Sequence, residues 1–526
     1  MGDNINQKKE EDNFFSKTQM YINLKLRDKN FMKGFSTVIG ASLMNIITGS
    51  IYSVCQLVVY EISYIKHNNT NSRITNINLT FYYPIETFFK SMACILSGVI
   101  NKTLGLHYTN AIGIGVLFIG YLILFLSSSF FVDMIGIIFG GMGAGLIYYP
   151  STANACEWFM DHNGIVIGII ETMISLGSFF FNLLGEKIIN PDNIETVSFD
   201  GTEENKFYSK EIAEKFKSFM SYLIVIVIIL YIISFFLTFK KKRDYANEIN
   251  ESLLNTEKEN RETNDNNEME DNETEDQDKI LDEKKLDLLA NKLIKKELND
   301  YKKMIKKALK SRKLLSFILI ALLQSPVPSM VFALYRAIGE NNSVKKSFLT
   351  AIGPVSFIFE CLGGFIFGVL CDYIPKQKLL LVLCGSNTFI AYIYCITFKV
   401  SSLFFLSTIF ITFNSGSFYS VKDCFILNVF GVDLYVELIS FVEFCNAILV
   451  IVLAPITYWI EYGMEGKYGG YWIIFVIFGT FSLFSFILSF YVKDSSFDYD
   501  NTNKSKEAIK EETKKAEEKK EISTVL

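Results

Sequence analysis

The chain has 526 residues in which 51 Lys+Arg face 56 Asp+Glu, and this net charge of −5 excludes a nucleic-acid binder with a basic surface. Only 8 prolines and 3 histidines occur, aromatic residues reach 15%, and mean hydropathy is +0.27, which excludes a disordered chain and a histidine-built metal site. The hydrophobic residues sit in runs of about 18 or more with few charges, each long enough for the roughly 30 Å hydrocarbon of a bilayer, so the sequence reads as a polytopic membrane protein.

The first thirty residues show no apolar core followed by a small-residue cleavage site, and position 6 is Asn where a myristoylation signal has Ser or Thr, so insertion is expected to begin at the first span. Spans are expected near 32–60, 80–101, 108–127, 131–155, 164–186 and 217–239, and again near 314–337, 347–371, 378–397, 402–427, 434–460 and 470–492. The chain then divides into an N-terminal segment 1–31, a helical bundle 32–239, a linker 240–313, a second bundle 314–492 and a charged tail 493–526. The expected fold is all-α, with twelve transmembrane helices in two six-helix bundles. That is the outline of a secondary transporter whose halves rock about a central site.

An even number of spans puts both termini on one side. Lys25, Arg27, Lys29 and Lys33 at the start, Lys240 to Arg243 at the linker and the lysine-rich tail assign that side to the cytoplasm. Sequons at Asn68 and Asn78 fall in the first outward loop and agree, while Lys187, Lys206, Lys210 and Lys215 in 187–216 lie on the other side. The membrane is either the plasma membrane or that of an internal organelle, and the oligomeric state stays open. Within the linker, 259–279 is acidic and reads as a solvated tether. From Lys284 to Lys313, Leu286, Leu289, Leu293, Leu298, Tyr301 and Ile305 recur at helical steps among lysines, as in a helix lying on the leaflet or one packed under the second bundle. Nine cysteines without close pairs read as apolar filler, and nothing in the sequence asks for a cofactor or a metal.

A charge in mid-bilayer costs at least about 2.5 kcal/mol unless it is paired or faces water, so ionisable residues in the spans are the default functional candidates. Span 2 carries Glu86 and Lys90 four apart, on one helical face, as an ion pair or as part of a site. Span 5 holds Glu171, span 8 Glu360, span 10 Lys422 beside Asp423, and span 11 Glu437 and Glu443; Arg336 lies near the outer end of span 7. A carrier of small carboxylates needs a cation near the midplane, and a proton-coupled one needs a buried acid. Lys90 and Lys422 are candidates for the first role, with Glu86 and Asp423 beside them. Glu360, then Glu171, are candidates for the second. The sequence shows no P-loop, HExxH or nucleophile elbow, so the chain is not expected to be an enzyme, and its energy source is an ion or solute gradient.

Spans 4 and 5 hold Gly140, Gly141, Gly143, Gly145, Tyr148 and Pro150, then Trp158-Phe159, then Gly164 and Gly168, a density of small residues that lets helices approach closely. This order resembles the span 4–5 signature of the oxalate/formate antiporter-like and monocarboxylate transporter-like branch of the major facilitator superfamily, with Asn163 where that pattern has arginine. Gly49 to Val54 around Tyr52, and Gly416 to Gly431 across span 10, match as well. Gly364, Gly368 and Asp372 followed by Lys376 and Lys378 resemble the superfamily's short cytoplasmic loop. The resemblance implies a gate at which Asp372 pairs with Lys376 and Lys378. The matching loop of the first half keeps Lys102 without an acid in the corresponding place. It also implies a site in which Tyr52 and Tyr148 touch solute. In the monocarboxylate family an arginine follows the span 8 acid by four; here that place is Gly364, which leaves Lys90 or Lys422 to supply the cation.

The function implied is secondary transport of a small organic anion, such as pyruvate, lactate or a pantothenate-like carboxylate, by alternating access with a proton or by exchange. The alternatives are a cationic or zwitterionic solute such as an amino acid, and a sensor or scaffold that moves nothing. The asparagine, lysine and isoleucine bias resembles proteins of AT-rich protists such as malaria parasites.

Overall fold

The computed structural model describes residues 29–68, 81–194, 196–198, 206–241, 300–463 and 470–497. The first bundle consists of α1 (Lys29–Asn68), α2 (Tyr82–Leu104), α3 (Leu106–Leu126), α4 (Phe130–Trp158), α5 (Asn163–Ile189) and α6 (Lys210–Leu237). In the second, α7 is broken at Ser325 into Arg312–Gln324 and Pro326–Asn341, and α8 (Lys346–Tyr373), α9 (Lys376–Thr397), α10 (Ser401–Phe430), α11 (Val432–Gly463) and α12 (Gly470–Ser489) follow. Two-residue strands, Val197–Ser198 and Lys206–Phe207, pair in the loop between α5 and α6.

Ten of these segments are long and apolar enough to cross a membrane on composition alone. The other two, α2 and α10, have spanning length but bury Glu86, Lys90, Lys422 and Asp423. Around the outside the helices present large apolar side chains, as on α6 with Tyr222, Val225, Ile229, Ile232 and Phe236, a surface suited to lipid. The described linker residues 300–311, the start of α1 and residues 492–497 share one end of the molecule, the linker face.

Glycine sets the helix spacing that positions the central charges. A Cβ at Gly145 of α4 would collide with the backbone oxygen of Lys90, and one at Gly141 would sit 2.7 Å from that of Glu86, so α2 lies directly on α4. Gly416 of α10 meets the backbone oxygen of Glu360 in the same way, drawing α8 against α10. Gly105 (φ +86°) and Gly431 (φ +80°) take a backbone conformation that side chains disfavour, and each turns the chain within one residue, from α2 to α3 and from α10 to α11.

Three expectations are corrected in detail. The first span runs to Asn68, not 60, because its polar end is buried. Glu61 receives the Lys217 ammonium at 2.6 Å, and Tyr60 donates to Glu186 at 2.7 Å. The sixth helix begins at Lys210 for the same reason, since Lys217 belongs inside the bundle and also donates to the carbonyls of Leu124 and Ser127. The seventh breaks because Pro326 has no N–H and its ring disfavours helix in the residue before it. Of the expected linker helix, 300–309 is described, and it packs under the bundles: Ala308 is fully buried and Tyr301, Met304, Ile305 and Leu309 join the core of the linker face. The acidic tether, the second sequon and most of the tail lie outside the described residues.

Candidate functional site

Two polar contacts are among those that join the halves at the linker face. Asp372 at the end of α8 reaches across to the first half, where its Oδ1 accepts the Gly164 amide at 2.7 Å and its Oδ2 accepts the Ile165 amide at 3.0 Å. These are unsatisfied amides of the first turn of α5, where a carboxylate also meets the positive end of the helix dipole. Gly164 and Gly168 lie so close to Gly368 that no side chain fits between them. The pairing of Asp372 with Lys376 and Lys378 that the resemblance implies is not what this structure holds. Two amides occupy its oxygens, and no ion pair joins it to either lysine among the described residues. Lys376 lines a small cavity of about 170 Å³ beside Asp372, with Asp161, Asn163 and Asn428.

The second contact gives Lys102 an acid from outside its own loop. Its ammonium stands 3.2 Å from the Glu437 carboxylate of α11 and donates to the Asp433 carbonyl at 2.8 Å. The acid comes from the opposite half rather than from the lysine's own loop. Tyr301 of the linker helix lies over the same ammonium, ring centroid 3.2 Å away. Burial, then the nearby Glu437 charge, push the Tyr301 phenol above its ordinary range, so it stays protonated.

Between the halves lies a connected set of charges and hydroxyls. In the first half, the Lys90 ammonium of α2 donates to the Tyr52 hydroxyl of α1 and lies over the rings of Tyr52 (4.4 Å) and Tyr148 (5.7 Å). Tyr148 of α4 donates to Glu171 Oε2 of α5 at 2.6 Å. Tyr148 stacks on Tyr149, which meets Tyr435 of α11 edge-on at 5.9 Å and so carries the set into the second half. There Tyr435 donates to Asp423 Oδ2 at 2.7 Å, and Lys422 sits between Glu443, its direct partner, and Asp423 Oδ1 at 3.8 Å. Tyr419 places its ring 4.6 Å from Lys422.

Tyr52, Lys90, Tyr148, Glu171, Lys422 and Asp423 are thus brought together. Glu86 is not paired with Lys90: its Oε2 accepts from Thr87 at 3.1 Å, and its Oε1 has no partner. The spacing of four puts both on one face, but the Tyr52 hydroxyl from α1 takes the lysine. Lys90 has no carboxylate within ion-pair distance among the described residues. Glu360 is half-buried, facing Ser175 of α5 and within electrostatic reach of Tyr83 and Tyr419, at the edge of the set. Tyr149, Tyr419 and Tyr435 were not among the candidates. Glu443 stood out as an intramembrane acid, but nothing in the sequence paired it with Lys422.

Two helical bundles that close on each other at one face and enclose buried charges between them define a membrane transporter rather than an enzyme. The model of the Major Facilitator Superfamily matches residues 41–386, and the chain belongs to that superfamily. Its fold is similar to that of the proton:xylose symporter XylE bound to 6-bromo-6-deoxy-D-glucose, at 13% identity and TM-score 0.60 over 89% of this chain and 98% of that one. It is also similar to FucP, a major facilitator transporter in the outward conformation, at 10% identity and TM-score 0.57 over 87% and 99%. No curated protein matches the sequence.

Proposed function

We propose that the protein carries a small organic monoanion, of the pyruvate, lactate or pantothenate kind, by alternating access. The observation that carries this reading is Lys90: a buried cation at the meeting of the halves with hydroxyl and ring partners but no carboxylate within ion-pair distance among the described residues. Lys422 is held by Glu443 and Asp423, which leaves Lys90 as the ammonium of the set with charge to offer. A solute carboxylate would meet Lys90 with Tyr52 and Tyr148 beside it, and the low-dielectric surroundings strengthen such a charge-assisted bond. Asp372 on the α5 amides and Lys102 on Glu437 would keep the linker face shut while the site opens to the other side. The lysines and arginine that flank the linker support a cytoplasmic linker face.

The test is reconstitution in liposomes with uptake of labelled pyruvate, pantothenate and lysine, each with and without a pH gradient. Uptake of a carboxylate that Lys90→Gln abolishes supports the reading, whereas uptake of lysine and of neither acid overturns it. A cationic or zwitterionic solute is the second reading, favoured by the unpartnered buried oxygens of Glu86 and Glu171.

A further inference from the structure

The cavity beside Asp372 belongs to neither half alone. Asp161 and Asn163 come from the turn into α5 of the first bundle, whereas Asp372 and Lys376 come from the connection of α8 to α9, and Asn428 from α10, of the second. Its volume is about 170 Å³. A cavity of roughly 150 Å³ holds a molecule the size of benzene, so this one takes a ligand of about six heavy atoms. Asn163 Oδ1 is sealed from solvent and has no hydrogen-bond donor. Such an acceptor costs stability until a donor meets it.

The groups around this space select the charge of what fills it. Asp161 and Asp372 bring two carboxylates and Lys376 one ammonium, an excess of one negative charge. The positive end of α5, which would otherwise draw an anion, is spent: Asp372 takes the Gly164 and Ile165 amides, one on each oxygen. Each of those oxygens keeps a second lone pair. Asn428 gives a side-chain N–H to the Asp494 carbonyl at 2.9 Å, and its own oxygen is a further acceptor. Acceptors and negative charge together suit a cation rich in N–H donors. Among the described residues no group of three His, Cys, Asp or Glu side chains could hold a metal ion, which turns the choice to an organic cation.

We propose that this cavity binds a small organic monocation of the guanidinium or amidinium class, and that the bound cation holds the linker face shut. A guanidinium is planar, meets a carboxylate with two parallel N–H bonds and keeps further N–H groups for the Asn163 and Asn428 oxygens. Asp161 of the first half and Asp372 of the second then share one ligand. Opening the linker face separates these walls, so the cation binds the shut state and not the open one. At ten times its Kd it multiplies the ratio of shut to open by about eleven. Such a ligand slows the carrier from the linker side without resembling the solute, whichever solute that is.

The experiment uses the full chain in detergent, with methylguanidinium chloride as the probe. Cys424 lines the cavity and is 3% exposed, so its alkylation by a maleimide, followed in a mass spectrometer, reports on both the space and the closure. Methylguanidinium is expected to slow this alkylation saturably, by about tenfold at ten times its Kd. Tetramethylammonium, of the same charge with no N–H, and acetate leave the rate unchanged at equal ionic strength. Asp161→Asn and Asn163→Leu each weaken the apparent Kd by about tenfold. If either variant fails to fold, the contrast between the two cations on the wild type decides. Protection by both cations alike, by acetate instead, by neither cation, or with the same Kd in the wild type and both variants overturns the site. The solute does not enter this measurement: uptake of lysine in place of pyruvate overturns the proposed function and leaves this site standing.

Discussion

Lys102 at the end of α2 and Glu437 near the start of α11 form an ion pair of 3.2 Å across the two halves, under the ring of Tyr301 from the linker helix. The pair can exist only while the linker face is shut, so it and its cover favour that state. Lys102 is 38% exposed, and such a pair contributes about 1 kcal/mol, roughly a fivefold bias. Glu437→Gln and Tyr301→Ala are each expected to open this face more often. Cys156, Cys371 and Cys424 lie buried together just inside it, so their labelling by a permeant maleimide, read residue by residue in a mass spectrometer, should quicken several-fold in both variants. Labelling at the wild-type rate in both would show that the contact does not bias the closure.

The Asp372 contact makes a sharper prediction about chemistry than about charge alone. Asp372→Ala removes both acceptors from the α5 amides and is expected to cost about 1–2 kcal/mol of the closed state. Asp372→Asn keeps one acceptor and should fall between Ala and wild type. Lys376→Gln and Lys378→Gln should leave the closure as it is, because neither pairs with Asp372. The same cysteine labelling checks the order of the four variants.

Glu443 predicts the valence of the solute. With Lys422 bound to Glu443, one ammonium in the set is uncommitted, which suits one carboxylate. Glu443→Gln releases Lys422 and is expected to raise the affinity for a dicarboxylate such as succinate relative to a monocarboxylate by about tenfold, measured as competition against labelled pyruvate. An unchanged ratio would remove Lys422 from contact with the solute.

The buried pair Glu61 and Lys217 predicts stability rather than transport. Lys217→Met leaves Glu61, fully buried, without its cation, a change expected to destabilise the protein by about 3–5 kcal/mol. Adding Glu61→Gln should recover much of that loss. Thermal unfolding of the purified variants in detergent, followed by fluorescence, checks both.

What was legible in the sequence was whatever depends on one helix at a time. The apolar runs located the spans because each must cross the same hydrocarbon thickness. The glycines of α4 marked a close approach, and the intramembrane ions Lys90, Glu171, Lys422 and Asp423 do gather between the halves. What escaped depends on two helices at once. Glu86 and Lys90 share a face, but the competing hydroxyl of Tyr52 comes from α1. Asp372 binds backbone amides, which carry no side-chain signature, and the acids that face Lys102 and Lys422 lie 335 and 21 residues further along the chain. The first span was expected to end near 60; Lys217, 156 residues from Glu61, is what lets that charge stay in a helix.

The central claim is that Lys90 is the cation that holds the solute's carboxylate. Binding of labelled pyruvate or pantothenate to purified protein, by scintillation proximity, measures it without needing a complete transport cycle. The account predicts saturable binding by the wild type and at least a tenfold weaker Kd in Lys90→Gln, while Lys422→Gln, whose ammonium is committed to Glu443, changes Kd less. Equal carboxylate affinity in wild type and Lys90→Gln would contradict it.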